Sequence, residues 1–403
     1  CIPGKLYMLS DIRNDVFVEA LIKRWRPYND FVRFSGDCVY SRKLNRVASV
    51  DTPVDGSNMK IELVNSDEFE TIKEKAISIC VGKKGIGTQE VTVQILGDSF
   101  VNGAFFRDAL LSKNYIPGIK LVGLRNIKNE EGQYDEGRGG WTVKKYFEIP
   151  KGEMTSYHGY MQPVGEYRYW GSCEFWKNCY KVINGELTDT EIVYNCGRYD
   201  QCITKFDKET GYLAAPKKND LMYDNARGSY MVYTGKKWKN VEVDERKWAF
   251  NYRKYLDMWN LDAPKFFAQM LGLNDYRDSL TADYREWNKK IAEMKESYYK
   301  AVPDGKFIIL IPCTTCGSLN NIRGDFTLRQ NASMWQLRKN IIDTFDGRES
   351  EGYYVVDIGI TIDNEKGYNR NRDGIQTGNP HPYPNYPTMG IPLAAFIQYY
   401  REL

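Results

Sequence analysis

Histidine is nearly missing from this chain: among 403 residues it occurs twice, at His158 and His381. Any mechanism that needs an imidazole must use one of these two positions, since no other side chain changes charge between pH 5 and 8 at its ordinary pKa. A surplus of charge is missing as well. Lys and Arg number 56 against 53 Asp and Glu, a formal net charge of +3, which removes the global electrostatic case for nucleic acid or an anionic membrane as partner. A small or neutral partner is left. No apolar stretch approaches the roughly 18 residues of a membrane-span candidate, and no internal repeat or low-complexity tract stands out. The nine cysteines form neither the dense even set of a small disulfide scaffold nor an evident zinc pattern. What the chain has in quantity is apolar and aromatic material: 42% hydrophobic residues, 30 Tyr and 9 Trp. That is enough for a sizeable core, and the length suits a principal domain with an appendage or a large insertion.

Residues 1–88 carry short alternating or β-branched runs, such as Val32-Arg33-Phe34 and Met59-Lys60-Ile61-Glu62-Leu63, between Gly, Pro, Asp and Asn. This predicts a small N-terminal β-rich domain. Gly82-Lys83-Lys84-Gly85-Ile86-Gly87 reads as the junction, because it lacks the Gly-Lys-Ser/Thr ending and the following helix of a phosphate-binding loop. Over 89–403 apolar strands alternate with amphipathic helices, the signature of an α/β domain whose mostly parallel sheet is covered on both faces in three αβα layers. Strands are expected at 91–96, 119–122, 266–271, 307–311 and 353–356. Tyr284, Trp287, Ile291, Met294 and Tyr298 recur at steps of three and four, as do Trp248, Tyr252, Tyr255, Leu256 and Trp259, each set predicting one helical stripe turned to the core. Further helices are expected near 334–345 and 393–400. The stretch at about 150–240 breaks this rhythm. It is rich in Tyr, Trp, Gly and Asn and holds four of the nine Cys, so it reads as a large insertion of the kind that serves as a lid or binding surface.

The chemistry gathers at three loop positions. The first strand of the α/β domain runs into Gly97-Asp98-Ser99, the third into Gly272-Leu273-Asn274-Asp275, and His381 stands in Gly378-Asn379-Pro380-His381-Pro382 before the last helix. In an open parallel sheet ligands sit beyond the carboxyl ends of the strands, where these residues would be presented. Gly-Asp-Ser alone is equally a turn with an N-cap serine. A serine, an amide donor and a histidine on one sheet edge, however, are what acyl transfer requires: Ser99 attacks, His381 takes and returns the proton, and Asn274 stabilises the oxyanion.

These segments resemble the four motif blocks of the SGNH (GDSL-type) hydrolases, a family that includes carbohydrate esterases and lipases. The blocks occur in order as Gly97–Ser99, Glu136-Gly137-Arg138-Gly139-Gly140-Trp141-Thr142, Gly272–Asp275 and His381. The likeness is greatest to bacterial carbohydrate-esterase-like members with an N-terminal β-domain and a Gly-Arg-Glu-like segment before the last strand, here Gly347-Arg348-Glu349. It implies a flavodoxin-like fold over about 90–403 outside the insertion, and an oxyanion hole built from the N–H of Ser99, the N–H of Gly140 and the amide of Asn274. Gly139 or Gly123 would take the place of Gly140 if the alignment shifts. The family commonly places an Asp three residues before the histidine, and here that position is Gly378. Asn379, Asp373 or a backbone carbonyl is left to orient His381.

Other residues carry two readings each. His158, beside Ser156, Tyr157 and Tyr160, reads first as a packed or surface histidine and second as a substrate contact. Trp141 and Trp170, with Tyr167, Tyr169, Trp176 and Tyr180, offer flat faces for sugar rings or else make the insertion's own core. The pairs Cys173/Cys179 and Cys196/Cys202 have five residues between members, open to disulfides, free thiols or metal. Cys313 and Cys316 form a Cys-x-x-Cys that reads as structural before redox. The expected function is hydrolysis of an acyl, chiefly acetyl, ester on a carbohydrate, with no cofactor and no metal. The rivals are a catalytically weak or inactive glycan-binding surface protein and a lipase or thioesterase. Action outside the cytoplasm is expected from the family's habit, with Cys1 open to lipid anchoring.

Overall fold

The computed structural model describes residues 1–23, 30–43, 45–65, 67–102, 105–111, 114–125, 134–152, 157–186, 205–313, 328–364, 366–369, 372 and 381–401. The first seven strands are β1 (Lys5–Leu9), β2 (Asn14–Phe17), β3 (Asp30–Gly36), β4 (Val39–Arg42), β5 (Val47–Val50), β6 (Asn58–Asn65) and β7 (Thr71–Gly82). They make one sheet in the order β1-β7-β6-β3 and a second, β2-β5-β4. Successive side chains of a strand point to opposite faces, and in β1 the two faces meet different cores. Leu6 and Met8 join Val16, Ala48, Val50, Met59, Ile77 and Ile79 between the two sheets, whereas Tyr7 and Leu9 join the main core of the chain.

The main sheet is built from β8 (Val91–Gly97), β9 (Ile119–Leu121), β10 (Glu136–Gly137), and later β17 (Phe266–Met270), β18 (Lys306–Ile311) and β19 (Tyr353–Asp357). Every pairing in it is parallel. β9 and β10 lie in succession along one edge of β8, followed by β17, β18 and β19. Five of these six strands fall where the apolar runs predict them. In chain order this is 2-1-3-4-5, a doubly wound arrangement that opens a crevice at the carboxyl ends beside its first strand. β17 and β19 are buried at every residue, as a parallel sheet covered on both faces demands. Helix Arg285–Ala301 packs on helix Tyr252–Trp259 and on β18, helix Leu328–Phe345 on β18 and β19, and the C-terminal helix Tyr386–Arg401 on helix Phe105–Leu111, β1, β7 and β19. The chain therefore contains an α/β domain with a parallel central sheet. Among the described residues no helix is long and apolar enough to cross a membrane.

Between β10 and β17 come β11 (Met161–Pro163), β12 (Arg168–Ser172), helix Cys173–Ile183, β13 (Asp220–Asp224), β14 (Ser229–Tyr233), β15 (Trp238–Val241) and β16 (Trp248–Phe250). β12 to β15 form a four-stranded sheet, and β11 pairs with β16, so the inserted strands run to Phe250 rather than stopping near 240. Trp248 also departs from its expected helical stripe. Asn251 caps the helix by accepting from Lys254 N, which leaves Trp248 in the strand before it. The aromatics of this region are mostly packing: Tyr169, Trp170 and Trp176 are buried, and Trp176 stacks on Phe206 at 3.9 Å.

Candidate active site

β8 delivers Ser99. Its last residue, Gly97, is followed by buried Asp98 and then by the short helix Ser99–Asn102, so the serine sits at the carboxyl edge of the sheet. From the far end of the chain His381 meets it: the ring Nε2 stands 2.8 Å from Ser99 Oγ. The imidazole is braced by the Phe100 ring at 4.8 Å and the Tyr383 ring at 5.7 Å, while its own carbonyl accepts from Tyr383 N at 2.9 Å. Burial lowers its pKa to about 4. At neutral pH the ring is therefore uncharged and able to accept the serine proton.

Asn274 lies in the helical turn Leu273–Tyr276 that follows β17. Its Nδ2 donates to Asp98 Oδ2 at 3.3 Å and to the Trp141 carbonyl at 3.1 Å. Both N–H bonds of the amide are thus engaged, and donation to an oxyanion requires the longer one to swing. Asp98 anchors the turn from inside by accepting from Phe100 N at 3.1 Å, and burial raises its carboxyl to about 7. Asp275, raised by burial to about 6, accepts from Val143 N at 3.1 Å.

Gly140 stands in the turn before Trp141, exposed, with φ +72° and open space where a Cβ would be. That left-handed conformation favours glycine and lets the backbone face outward. The turn hangs between two fixed points: Arg138 N donates to the Gly97 carbonyl at 2.9 Å, and Asp275 holds Val143. Of the alternatives to Gly140, Gly139 is half-buried in the same turn, whereas Gly123 is buried and pressed against the backbone of Asp135. Ser99 and His381 are in direct contact, and Asn274 is tied on one side to the residue before Ser99 and on the other to the residue after Gly140. Asn379, Asp373 and Gly378 lie outside the described residues, as do Ser156, Cys196, Cys202 and Cys316.

Of the two readings open to His158 and Trp170, burial favours packing over substrate contact. His158 is 1% exposed. Its Nε2 lies 3.1 Å from the Glu148 carbonyl and its Nδ1 accepts from Tyr160 N at 3.2 Å; burial lowers its pKa to about 3, so it is a neutral packed ring. Trp170 is also buried, donating to Asp220 Oδ1 at 2.9 Å and meeting Trp259 edge-on. Trp141 borders the site through its carbonyl, but its ring is turned inward over Arg138 and Tyr146. Cys173 and Cys313 are buried, and burial raises each thiol to about 12, which removes the thiolate that redox chemistry needs. Among the described residues no three His, Cys, Asp or Glu side chains gather as metal ligands.

No family model and no curated protein matches the chain. Solved structures do. A carbohydrate esterase family 3 protein from Talaromyces cellulolyticus is 12% identical over 78% of this chain and 99% of its own, at a TM-score of 0.33. A serine-to-alanine mutant of an acetyl esterase with an acetate ion is 11% identical over 77% and 99%, also at 0.33, and a peptidoglycan O-acetylesterase is 11% identical over 78% and 93%, at 0.34. Superposition this loose carries no argument about activity, which must come from the site's own atoms.

Behind the site lies a polar network centred on two residues of the glycine-rich block. Glu136 and Arg138, both fully buried, pair at 2.6 Å. Glu136 Oε1 accepts from Tyr255 OH at 2.6 Å and from Leu124 N at 2.7 Å, and Arg138 Nη2 donates to the Tyr157 carbonyl at 2.8 Å. Tyr146 OH reaches the carbonyls of Gly97 and Glu136, each at 2.7 Å. These bonds hold the glycine-rich turn against the end of β8.

Proposed function

We propose that the protein is a serine esterase that removes acyl groups, chiefly acetyl, from a carbohydrate. The observation that carries this reading is the 2.8 Å approach of His381 Nε2 to Ser99 Oγ, with a neutral imidazole on one side and an amide donor beside Asp98 on the other. Ser99 Oγ attacks the ester carbonyl carbon while His381 Nε2 takes its proton. The tetrahedral oxyanion is held by the N–H of Ser99, the N–H of Gly140 and Nδ2 of Asn274. As the C–O bond breaks, His381 returns the proton to the leaving sugar oxygen, leaving an acyl-enzyme. Water repeats the sequence from the other side: it loses a proton to His381, attacks the acyl carbon, and Ser99 leaves with the proton regained. None of these steps calls on a cofactor.

The motif blocks resemble those of carbohydrate esterases, and a polysaccharide substrate goes with action outside the cytoplasm. The second reading, a binding protein without efficient chemistry, is favoured by Gly378 at the usual acid position and by the two engaged N–H bonds of Asn274. Loss of an orienting carboxylate lowers turnover by roughly ten-thousandfold in a protease with a full triad.

One comparison decides between them. The protein and its Ser99→Ala variant are incubated with 4-nitrophenyl acetate and with acetylated xylan, and release of nitrophenolate and acetate is followed. The esterase reading expects turnover that falls by about a thousandfold or more in the variant. Equal slopes would sink it and leave the binding reading. Faster cleavage of an eight-carbon than of a two-carbon acyl chain would point to a lipase or thioesterase instead.

A further inference from the structure

A cavity of about 590 Å³ lies between the N-terminal strands and the segment that follows His381. This is within the range of small-molecule sites, roughly 300–1,000 Å³. Its walls come from the chain around β2, from Lys84 and Tyr115 near the junction, and from Thr361, Asp363 and the start of the C-terminal helix. The cations Arg13, Arg42, Lys43, Lys84 and Lys366 line it, against the two carboxylates of Asp15 and Asp363. Both carboxylates are already satisfied. Asp15 takes Arg13 at 3.2 Å and Arg42 at 3.6 Å, and Asp363 takes Lys43. Lys84 and Lys366 have no carboxylate partner among the described residues. The excess of positive charge in this one hollow is as large as that of the whole chain, +3.

Between the cations the lining is apolar, with Ile12, Phe17, Pro384, Ile391 and Pro392, and Thr361 and Thr388 add hydroxyl groups. A bare inorganic ion would leave those apolar walls wet. A neutral sugar would leave the lysines uncompensated, and a long acyl chain would bury against charge. A ring with an apolar face and an anionic substituent meets both kinds of wall at once.

We propose that this cleft binds an acidic saccharide unit, a sugar ring bearing carboxylate, sulfate or phosphate, at a site separate from Ser99. The preference for an anion rests on the net positive charge of the lining; the choice of a saccharide over another ringed anion rests on the glycan-ester reading. Pro384 and Thr388 follow His381 along one stretch of chain, so the cleft and the serine site share a supporting segment.

Calorimetric titration of the full chain tests this with five probes: tetragalacturonate, a heparin-derived tetrasaccharide, glucose 6-phosphate, the neutral cellotetraose and, as a ringed anion of another class, adenosine monophosphate. At least one anionic saccharide is expected to bind, with cellotetraose at least about tenfold weaker, and the three anionic saccharides rank the carboxylate, sulfate and phosphate sources. The double variant Lys84→Glu/Lys366→Glu is expected to weaken the anionic probe at least about tenfold. The pair Lys236→Glu/Lys239→Glu, exposed lysines of the β14–β15 hairpin, should leave it within about twofold. No binding by any anionic probe, equal binding of cellotetraose, or an unchanged Lys84/Lys366 variant each overturns the proposal. So does adenosine monophosphate binding more tightly than every saccharide. The Ser99→Ala variant keeps the two readings apart: it should bind the anionic saccharide as the parent does, so loss of esterase activity and loss of this site are separate observations.

Discussion

At the scale of single residues, the site's behaviour turns on two side chains whose surroundings set their state. His381 must be neutral to accept the serine proton, and burial holds its pKa near 4 instead of the ordinary 6.5. If His381 is the general base, the competent fraction is nearly complete above about pH 5 and falls as pH drops through 4, approaching tenfold per pH unit below it. A kcat/KM profile on 4-nitrophenyl acetate should show its acid limb near pH 4; a limb near 6.5 would mean that the ring is wetter or more strongly paired than its packing against Phe100 and Tyr383 indicates. Asn274 supplies the other test. If its amide stabilises the oxyanion, Asn274→Ala should lower kcat by roughly a hundred- to a thousandfold while KM changes little. If the amide serves only to join Asp98 to the Trp141 carbonyl, the loss will be small and will come with a lower melting temperature.

At the scale of elements, the shortest strand is the most exacting. β10 has two residues, and its Glu136 is held in a dry interior by Arg138, Tyr255 and the Leu124 N–H. Arg138→Ala leaves that carboxylate without its cation, which costs about 3–5 kcal/mol in comparable buried pairs, whereas replacing both charges by groups of similar volume is close to neutral. Urea unfolding should therefore show Arg138→Ala strongly destabilised and the Glu136→Gln/Arg138→Met double variant recovering most of the loss; equal losses would mean that the pair does not act as one unit. The same strand marks the limit of what patterns in a sequence disclose. β8, β17, β18 and β19 are buried on both faces and so advertise themselves as apolar runs, and the expected ends fall within one residue of the observed ones. β10 is a charged residue and a glycine, stabilised by distant partners, and carries no hydrophobic signal. Trp248 misleads for the opposite reason, because its spacing to Tyr252 imitates a helical turn until the Asn251 cap intervenes. At the site, Ser99, Asn274 and His381 are readable as side chains in motif order. The engagement of the Asn274 amide by the Trp141 carbonyl is not, since a backbone acceptor leaves no mark on residue identity.

At the scale of the whole molecule, the question is whether the N-terminal strands and the α/β sheet behave as separate bodies. β1 faces both cores, sending Leu6 and Met8 one way and Tyr7 and Leu9 the other, and the C-terminal helix packs on β1, β7 and β19 alike. A close approach is at Gly82, the last residue of β7, where a Cβ would lie 2.2 Å from the carbonyl oxygen of Ala395 in that helix. Further ties are Lys5 to Glu349 at 2.7 Å, Gly4 N to Asp346 Oδ2 at 2.7 Å and Arg338 to the Cys1 carbonyl at 3.0 Å. The half-buried ion pair adds little by itself; the shared strands and the close helix contact are what would couple the two cores. The expected outcome is a single calorimetric transition in which the van't Hoff and calorimetric enthalpies agree. Gly82→Ala, which must push the helix away, should move that whole transition downward by about 1–3 kcal/mol, as overpacking does elsewhere. Two transitions, or a shift confined to the earlier of two, would show that β1 and β7 can leave the C-terminal helix without unmaking the sheet that carries Ser99.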